Sequence, residues 1–176
     1  MTVLAYDLTH KHQTKANDCW YACIQMLRTQ RAGIKTKTIG DAALNLRNIP
    51  ILGRTMRAAE DSNVFMTIIA QNGLTRVAKR TEFEGFLVNG DEDLIIKALQ
   101  RFGPIMIGGL YGRLLGKKMG HFIVMSGIDT DRQLFKINDP DKRMSDWRSY
   151  GRIKKDYWGI LFNPDDGCNA IAARPD

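Results

Sequence analysis

The residues best suited to chemistry lie near the beginning of the chain, in the segment Gln13-Thr-Lys-Ala-Asn-Asp18-Cys19-Trp-Tyr-Ala-Cys23. Asp18 is a preferred N-cap type, so this segment predicts a helix that begins at Cys19. Helix N-termini have unpaired backbone N–H groups and a partial positive charge. Because that field stabilises a thiolate, Cys19 is a candidate nucleophile.

Gln13 lies six residues before Cys19, on a segment predicted to be extended. Such an approach would bring the side-chain amide of Gln13 beside the backbone N–H of Cys19. Two N–H donors directed at one point form an oxyanion hole. We therefore expect Gln13 and the Cys19 amide to stabilise an oxyanion together.

A cysteine nucleophile needs a base, and His121 is the candidate. It follows Gly120 at the start of an apolar segment that ends at Met125. This pattern predicts a strand whose first side chain faces a cleft. A hairpin would return Asn138 and Asp139 toward the same end of the sheet, where one of them accepts the Nδ1–H of His121.

Only one of these two residues can point at the histidine, because side chains alternate along a strand. Asp139 continues the alternation of Phe135 and Ile137, and it precedes Pro140, which favours an extended backbone before it. We expect Asp139 to orient His121, with Asn138 as the alternative.

These residues also have less reactive interpretations. A buried cysteine on a helix is usually an inert hydrophobe, and we assign Cys23 to the core for that reason. Cys19 taken alone would also be interpreted as an inert core residue, but its combination with Gln13, His121 and Asp139 favours a catalytic role. Zinc binding by Cys19, Cys23 and His121 lacks a fourth ligand and the Cys-x-x-Cys spacing. We expect no metal and no cofactor.

The composition describes an ordinary globular chain of 176 residues, with 44% apolar and 26% charged residues. The net charge of +7 is spread in short pairs, without a nucleic-acid-binding motif, so a nucleic-acid partner is not expected. No apolar run could span a bilayer, and an ordinary signal peptide is not expected. Three cysteines do not suggest a disulfide framework.

The helices and strands predicted around these residues indicate an α+β fold, with helices packed on an antiparallel sheet. The first helix should run from Cys19 to about Arg31, and a second from Asp91 to Phe102, ended by Gly103-Pro104. The strands are predicted at 105–107, 121–125, 134–138 and 157–162. We expect one domain over 1–176: a helical part to about 102, a sheet part over about 103–162 and an irregular tail over 163–176.

Four pieces of this chain resemble the papain-like cysteine peptidases in order and spacing: Gln13, Cys19-Trp20, Gly120-His121 and Asn138-Asp139-Pro140. The chain is most similar to their bacterial branch, which includes double-glycine leader peptidases and secreted effector proteases. In that branch the third triad residue is typically the Asp of an Asp-Pro pair. The resemblance covers roughly residues 10–162, and the middle third is unmatched.

The resemblance implies a papain-like fold and a cysteine endopeptidase that hydrolyses peptide bonds of a protein substrate. It also suggests the toxin domain of a secreted bacterial effector, active in a target-cell cytoplasm and neutralised at home by an immunity protein. The chain departs from papain around Cys19, so papain's disulfide and subsites do not carry over. Two alternatives remain. One is a deamidase, transglutaminase or cell-wall amidase on the same triad, and the other is a non-catalytic protein- or nucleic-acid-binding module.

Overall fold

The computed structural model describes residues 2–16, 18–29, 47–49, 53–55, 74–78, 92–114, 117–157 and 170–173. The helices in this part of the chain are α1 (Cys19–Thr29), α2 (Glu92–Phe102) and α3 (Tyr150–Tyr157). The strands are β1 (Val3–Ala5), β2 (Arg47–Ile49), β3 (Gly53–Thr55), β4 (Leu74–Ala78), β5 (Ile105–Leu114), β6 (Lys117–Asp129), β7 (Leu134–Asn138), β8 (Asp146–Ser149) and β9 (Ala170–Ala173). None of these helices is long and apolar enough to cross a membrane.

Seven of the described strands form one antiparallel sheet in the order β4-β9-β5-β6-β7-β8, with β1 paired to β6. β7 pairs with β6 along one edge, and β5 and β1 follow one another along its other edge. The remaining two, β2 and β3, pair only with each other. The long central strand β6 therefore connects the beginning of the chain to the rest of the sheet.

The core lies between one face of the sheet and two helices. Alternate residues of β5, β6 and β7 point to this face, as the period of two in a strand requires. They pack against α2 and α3 in a buried cluster made of Ile95, Leu99, Ile105, Ile107, Ile123, Met125, Ile128, Phe135, Ile137 and Ile153. On α1, the predicted stripe of Trp20, Cys23, Ile24 and Leu27 is buried. This helix packs against β5 and β6.

The end of α2 follows the predicted signal. Gly103 has a φ of 71°, in the left-handed region that glycine adopts without strain. Its N–H donates to the carbonyl of Leu99 at 2.8 Å, which satisfies a carbonyl that the helix leaves unpaired. The predicted helix therefore ends where the Gly103-Pro104 pair indicated, and β5 begins at Ile105.

The predicted subdivision into a helical part, a sheet part and an irregular tail is wrong in two places, the helical part and the tail. Strands β1, β2, β3 and β4 all lie inside the expected helical part. Tyr157, the first residue of the predicted strand 157–162, ends helix α3, and residues 158–162 lie outside the described residues. Ala170–Ala173 of the expected irregular tail form β9, which lies between β4 and β5. Long-range pairing, rather than local sequence, creates the short strands β1, β4 and β9.

A close contact at Gly127 makes the attachment of β1 testable. A Cβ added there would lie 2.6 Å from the carbonyl oxygen of Leu4 and 3.0 Å from the Cα of Ala5. We expect Gly127→Ala to push β1 away from β6, lower stability by about 1–3 kcal/mol and reduce the Tm by roughly 3–10 °C. Calorimetry or thermal circular dichroism measures this effect.

Gly151→Ala is the matched control. A Cβ at Gly151 would have no neighbour within 4 Å, and the residue lies in helix α3, where alanine is favoured over glycine. Its Tm should equal or exceed that of the wild type. Equal Tm values for Gly127→Ala and the wild type would contradict the tight contact between β1 and β6.

Candidate active site

The candidate nucleophile lies at the first residue of α1, as predicted. The carbonyl of Asp18 accepts the N–H of Ala22 at 3.0 Å, so Asp18 occupies the N-cap position. Its carboxylate accepts a hydrogen bond from the hydroxyl of Thr14 at 3.1 Å, which fixes the approach to the helix. Cys19 is buried at 5% exposure, and its thiol lies at the end of the helix where the N–H groups point outward.

His121 lies on β6 and contacts both partners expected for it. Its Nε2–H donates to Oδ1 of Asp139 at 2.7 Å, and its ring lies beside the side chain of Cys19. The prediction that Nδ1 would face the acid is wrong, because Nε2 holds that position. Nδ1 is thus the ring nitrogen left for the thiol. The strand position of a histidine does not determine its side-chain rotamer, so the sequence could not distinguish the two nitrogens.

Asp139 and Asn138 point in different directions, as strand alternation predicts. Asp139 is fully buried against His121. Asn138 donates its side-chain amide to the hydroxyl of Ser126 at 2.7 Å instead. The geometry therefore places Asp139, and not Asn138, beside the histidine.

The carboxylate of Asp139 accepts donors on both of its oxygens. Oδ1 accepts the backbone N–H of Asp141 at 3.0 Å besides the histidine, and Oδ2 accepts Nη2 of Arg148 at 3.0 Å. Burial alone would raise the pKa of Asp139. The hydrogen bond and charge of His121, together with the other two donors, outweigh it and hold this pKa at about 2. Asp139 is therefore ionised at any physiological pH.

The pKa of His121 moves in the opposite direction. Burial lowers it, but the hydrogen bonds to Asp139 and Cys19 and their negative charges outweigh burial and raise the pKa to about 9. A histidine with this pKa is protonated at neutral pH. The site therefore holds a buried imidazolium beside the side chain of Cys19.

Gln13, the expected oxyanion donor, is held close to the candidate triad through its backbone. Its N–H donates to the carbonyl of Pro140, next to Asp139, at 2.9 Å. Its side-chain Nε2 donates to the carbonyl of Ala16 at 3.3 Å, in the loop that leads to Cys19. In this conformation the amide is bonded to the loop that precedes Cys19.

Two further histidines contact the turn after Asp139. Both His10 Nε2, at 2.7 Å, and His12 Nδ1, at 3.2 Å, lie within hydrogen-bond distance of the carbonyl of Lys142. The N–H of Lys142 in turn donates to the carbonyl of Asp139 at 2.9 Å. The sequence alone does not indicate this partner, since 132 residues separate His10 from Lys142 and 130 residues separate His12 from it.

Cys23 lies one turn further along α1 and is completely buried. Burial, followed by the negative charges of Cys19 and Asp139, raises the pKa of its thiol. A protonated, buried thiol is unreactive, which agrees with its assignment to the core. Within the described ranges, no group of three or more His, Cys, Asp or Glu side chains is arranged to hold a metal ion.

Arg148 is the residue of the site that the sequence prediction missed. It lies on β8, is 8% exposed and contacts Asp139 through Nη2. Its Nε donates to the carboxylate of Asp146 at 2.9 Å. An arginine in a short charged strand predicts an exposed side chain, so only the alternation of Trp147 and Arg148 beside the β7 hairpin could have suggested an inward position.

A comparison with known protein families identifies the family of this chain. A search of the curated proteins gives no significant match. The comparison with protein families matches residues 2–151 to the family described as "Papain-like cysteine protease AvrRpt2". This match covers Cys19, His121 and Asp139 and most of the sheet that positions them. The chain therefore belongs to this family, and it is a papain-like cysteine peptidase, a hydrolase with an α+β fold, of the bacterial effector type.

Proposed function

We propose that this peptidase is an endopeptidase that cleaves a protein substrate through a Cys19–His121–Asp139 triad. The observation that supports this most strongly is the position of His121, which donates to Asp139 at 2.7 Å and lies beside Cys19. A base held between a nucleophile and an orienting acid is the arrangement that acyl-transfer chemistry requires.

The thiolate of Cys19 forms a bond to the carbonyl carbon of the scissile peptide. The tetrahedral intermediate then collapses, the carbon–nitrogen bond breaks, and His121 donates its proton to the leaving amine. A water molecule, deprotonated by His121, attacks the resulting thioester and releases the acid product and Cys19. Asp139 keeps the imidazole oriented and stabilises its charged form throughout.

The oxyanion of both intermediates would be bound by the Cys19 N–H at the start of α1 and by the Gln13 amide. Gln13 is anchored through its backbone beside Pro140, and its bond to the Ala16 carbonyl is long at 3.3 Å. Rotation of the side chain away from Ala16 would direct its N–H₂ group toward a bound carbonyl. Gln13 is therefore the proposed second donor.

We infer further that the chain acts as the toxin domain of a secreted effector and cleaves its substrate in the cytoplasm of a target cell. Membership in a family of the bacterial effector type supports this deployment. A producing cell would then need a cognate immunity protein that blocks the site around Cys19 until export.

The pH dependence of thiol alkylation tests the proposed ion pair. His121 is protonated below a pKa of about 9, so we expect Cys19 to react with iodoacetamide at pH 6 far faster than a free thiol. A free thiol with a pKa near 8.5 is only about 0.3% thiolate at that pH. The advantage should disappear as the pH rises through 9, because the imidazolium then loses its proton. Mass spectrometry of the peptide that contains Cys19 gives the rate.

His121→Ala is the critical variant for this measurement, and the rate at pH 6 should fall roughly 10–100-fold, toward that of a free thiol. Wild-type protein unfolded in urea supplies the free-thiol reference. The buried Cys23 thiol should remain unmodified in the folded protein and serves as an internal check on folding. If Cys19 follows the free-thiol profile in both folded proteins, the proposed function fails.

A further inference from the structure

The structure points to Arg148 as a positioning residue for the triad: we propose that its guanidinium fixes the ionised carboxylate of Asp139 and thereby keeps His121 protonated beside Cys19. This inference rests on the proposed Cys19–His121–Asp139 triad. It adds a fourth residue, from β8, that neither the family match nor the sequence motif identifies.

The first observation is the burial of the pair. The side chains of Asp139 and Arg148 are 0% and 7% exposed, and Nη2 lies 3.0 Å from Oδ2. An ionised group without contact to water is costly unless an opposite charge and hydrogen bonds compensate for it. Arg148 supplies both to the oxygen of Asp139 that His121 does not use.

The second observation is that the contacts form a line of alternating charge across three adjacent strands. His121 lies on β6, Asp139 follows β7, and Arg148 lies on β8. The line ends at Asp146, whose carboxylate accepts Nε of Arg148 at 2.9 Å. This second anion neutralises the guanidinium and fixes its orientation, so that Nη2 remains directed at Asp139.

The third observation is that the two carboxylate oxygens of Asp139 accept different donors. Oδ1 accepts two donors, His121 Nε2–H and the N–H of Asp141, whereas Oδ2 accepts Arg148. A carboxylate anchored at Oδ2 cannot rotate away from the imidazole. Loss of Arg148 would remove the donor on Oδ2 and allow the carboxylate to turn about Oδ1, which would weaken its hydrogen bond to the imidazolium.

Arg148→Met tests the inference, because methionine keeps an unbranched apolar stem and removes the charge and the donors. We expect the acid limb of the Cys19 alkylation profile to move up by about one pH unit, which lowers the rate at pH 6 roughly tenfold. Arg148→Lys keeps a cation and should recover at least half of the lost rate. A purely structural role would leave the pH profile in place.

Arg132→Met is the matched control. Arg132 is also an arginine paired with an aspartate, but its side chain is 71% exposed and its contact to Asp129 is 4.0 Å long. Its alkylation profile should superimpose on that of the wild type. His121→Ala in the same series distinguishes a wrong triad from a wrong role for Arg148. If the wild type and His121→Ala react alike, the proposed triad is wrong. If they differ and folded Arg148→Met matches the wild type, only the role of Arg148 is wrong.

A double variant keeps the inference testable if Arg148→Met does not fold. Removal of Arg148 leaves the buried charge of Asp139 uncompensated, so Asp139→Asn in the same chain should restore folding and raise the Tm above that of Arg148→Met alone. Its alkylation profile should match that of Asp139→Asn alone, because Arg148 acts through Asp139. If the double variant is no more stable than Arg148→Met, or if the two substitutions act additively on the profile, the inference is overturned.

Discussion

Cys19→Ala is expected to abolish peptide cleavage, with a loss of at least about 10⁴-fold in kcat/KM. The variant removes the sulfur that forms the thioester, and no other described side chain occupies that position. Alanine fits the space at the beginning of α1 and is the best helix former, so the fold should survive. Incubation with a proteome-derived peptide library, followed by mass spectrometry of new N-termini, measures the cleavage and reports the sequence preference of the wild type.

Cys23→Ala is the matched control for this experiment. The same atoms are removed one helical turn away, from a side chain that is fully buried in the core. We expect a destabilisation of about 1 kcal/mol from the small cavity and cleavage of the same peptides as the wild type. If Cys19→Ala still produced the wild-type set of new N-termini, Cys19 could not be the nucleophile.

The same two variants distinguish peptidase activity from toxicity in a cell. If the chain acts as a toxin domain in a cytoplasm, the wild type and Cys23→Ala should inhibit the growth of cells that express them, and Cys19→Ala should not. Growth curves at matched expression levels measure the difference. Equal growth of all three strains, combined with peptide cleavage in vitro by the wild type, would leave the peptidase intact and contradict the toxin hypothesis.

The candidate nucleophile and base were predictable because their signals are local. Asp18 is a typical N-cap, and the structure begins α1 at Cys19, as this residue type indicated. The segment from His121 to Met125 has the apolar run of a buried strand, and the predicted hairpin joins β6 to β7 in the structure. Strand alternation then separated Asp139 from Asn138 without any knowledge of distances.

The parts that escaped prediction depend on contacts between distant segments. β9 consists of Ala170–Ala173, whose small apolar side chains predict no particular element, and its position follows from pairing with β4 and β5. The inward position of Arg148 also depends on a contact outside its own strand. Its inward position is favourable only because the carboxylate of Asp139 lies there, and a charge that is buried by pairing looks the same in a sequence as a charge exposed to water.

The contact between the beginning of the chain and the turn after Asp139 could not be predicted either, because it also joins distant segments. Gln13 donates to Pro140, and His10 bonds to Lys142, across more than a hundred residues of sequence. These bonds connect the proposed oxyanion donor to the proposed triad acid. The backbone of Gln13 and the side chain of His10 therefore hold the segment before α1 against the turn after Asp139.

Asp139→Asn is expected to reduce kcat/KM by roughly 10³–10⁴-fold, although asparagine serves as the orienting residue in other papain-like proteases. The reason lies in the donors around this side chain. His121 and the Asp141 N–H point at one oxygen, and Arg148 points at the other. An asparagine has only one acceptor oxygen, so its N–H₂ group would face a donor in either orientation. The charge that supports the imidazolium would also be lost.

The pH profile provides a second measure of the same variant. The hydrogen bond and charge of Asp139 help to raise the pKa of His121 to about 9, so the alkaline limb of kcat/KM should move to lower pH in Asp139→Asn. Asn138→Ala is the control. It removes a buried hydrogen bond to Ser126, at a cost of about 1–3 kcal/mol in stability, and should retain activity within a few-fold. If Asp139→Asn remained active and Asn138→Ala did not, the orienting role would belong to Asn138, and the position of Arg148 would have no catalytic meaning.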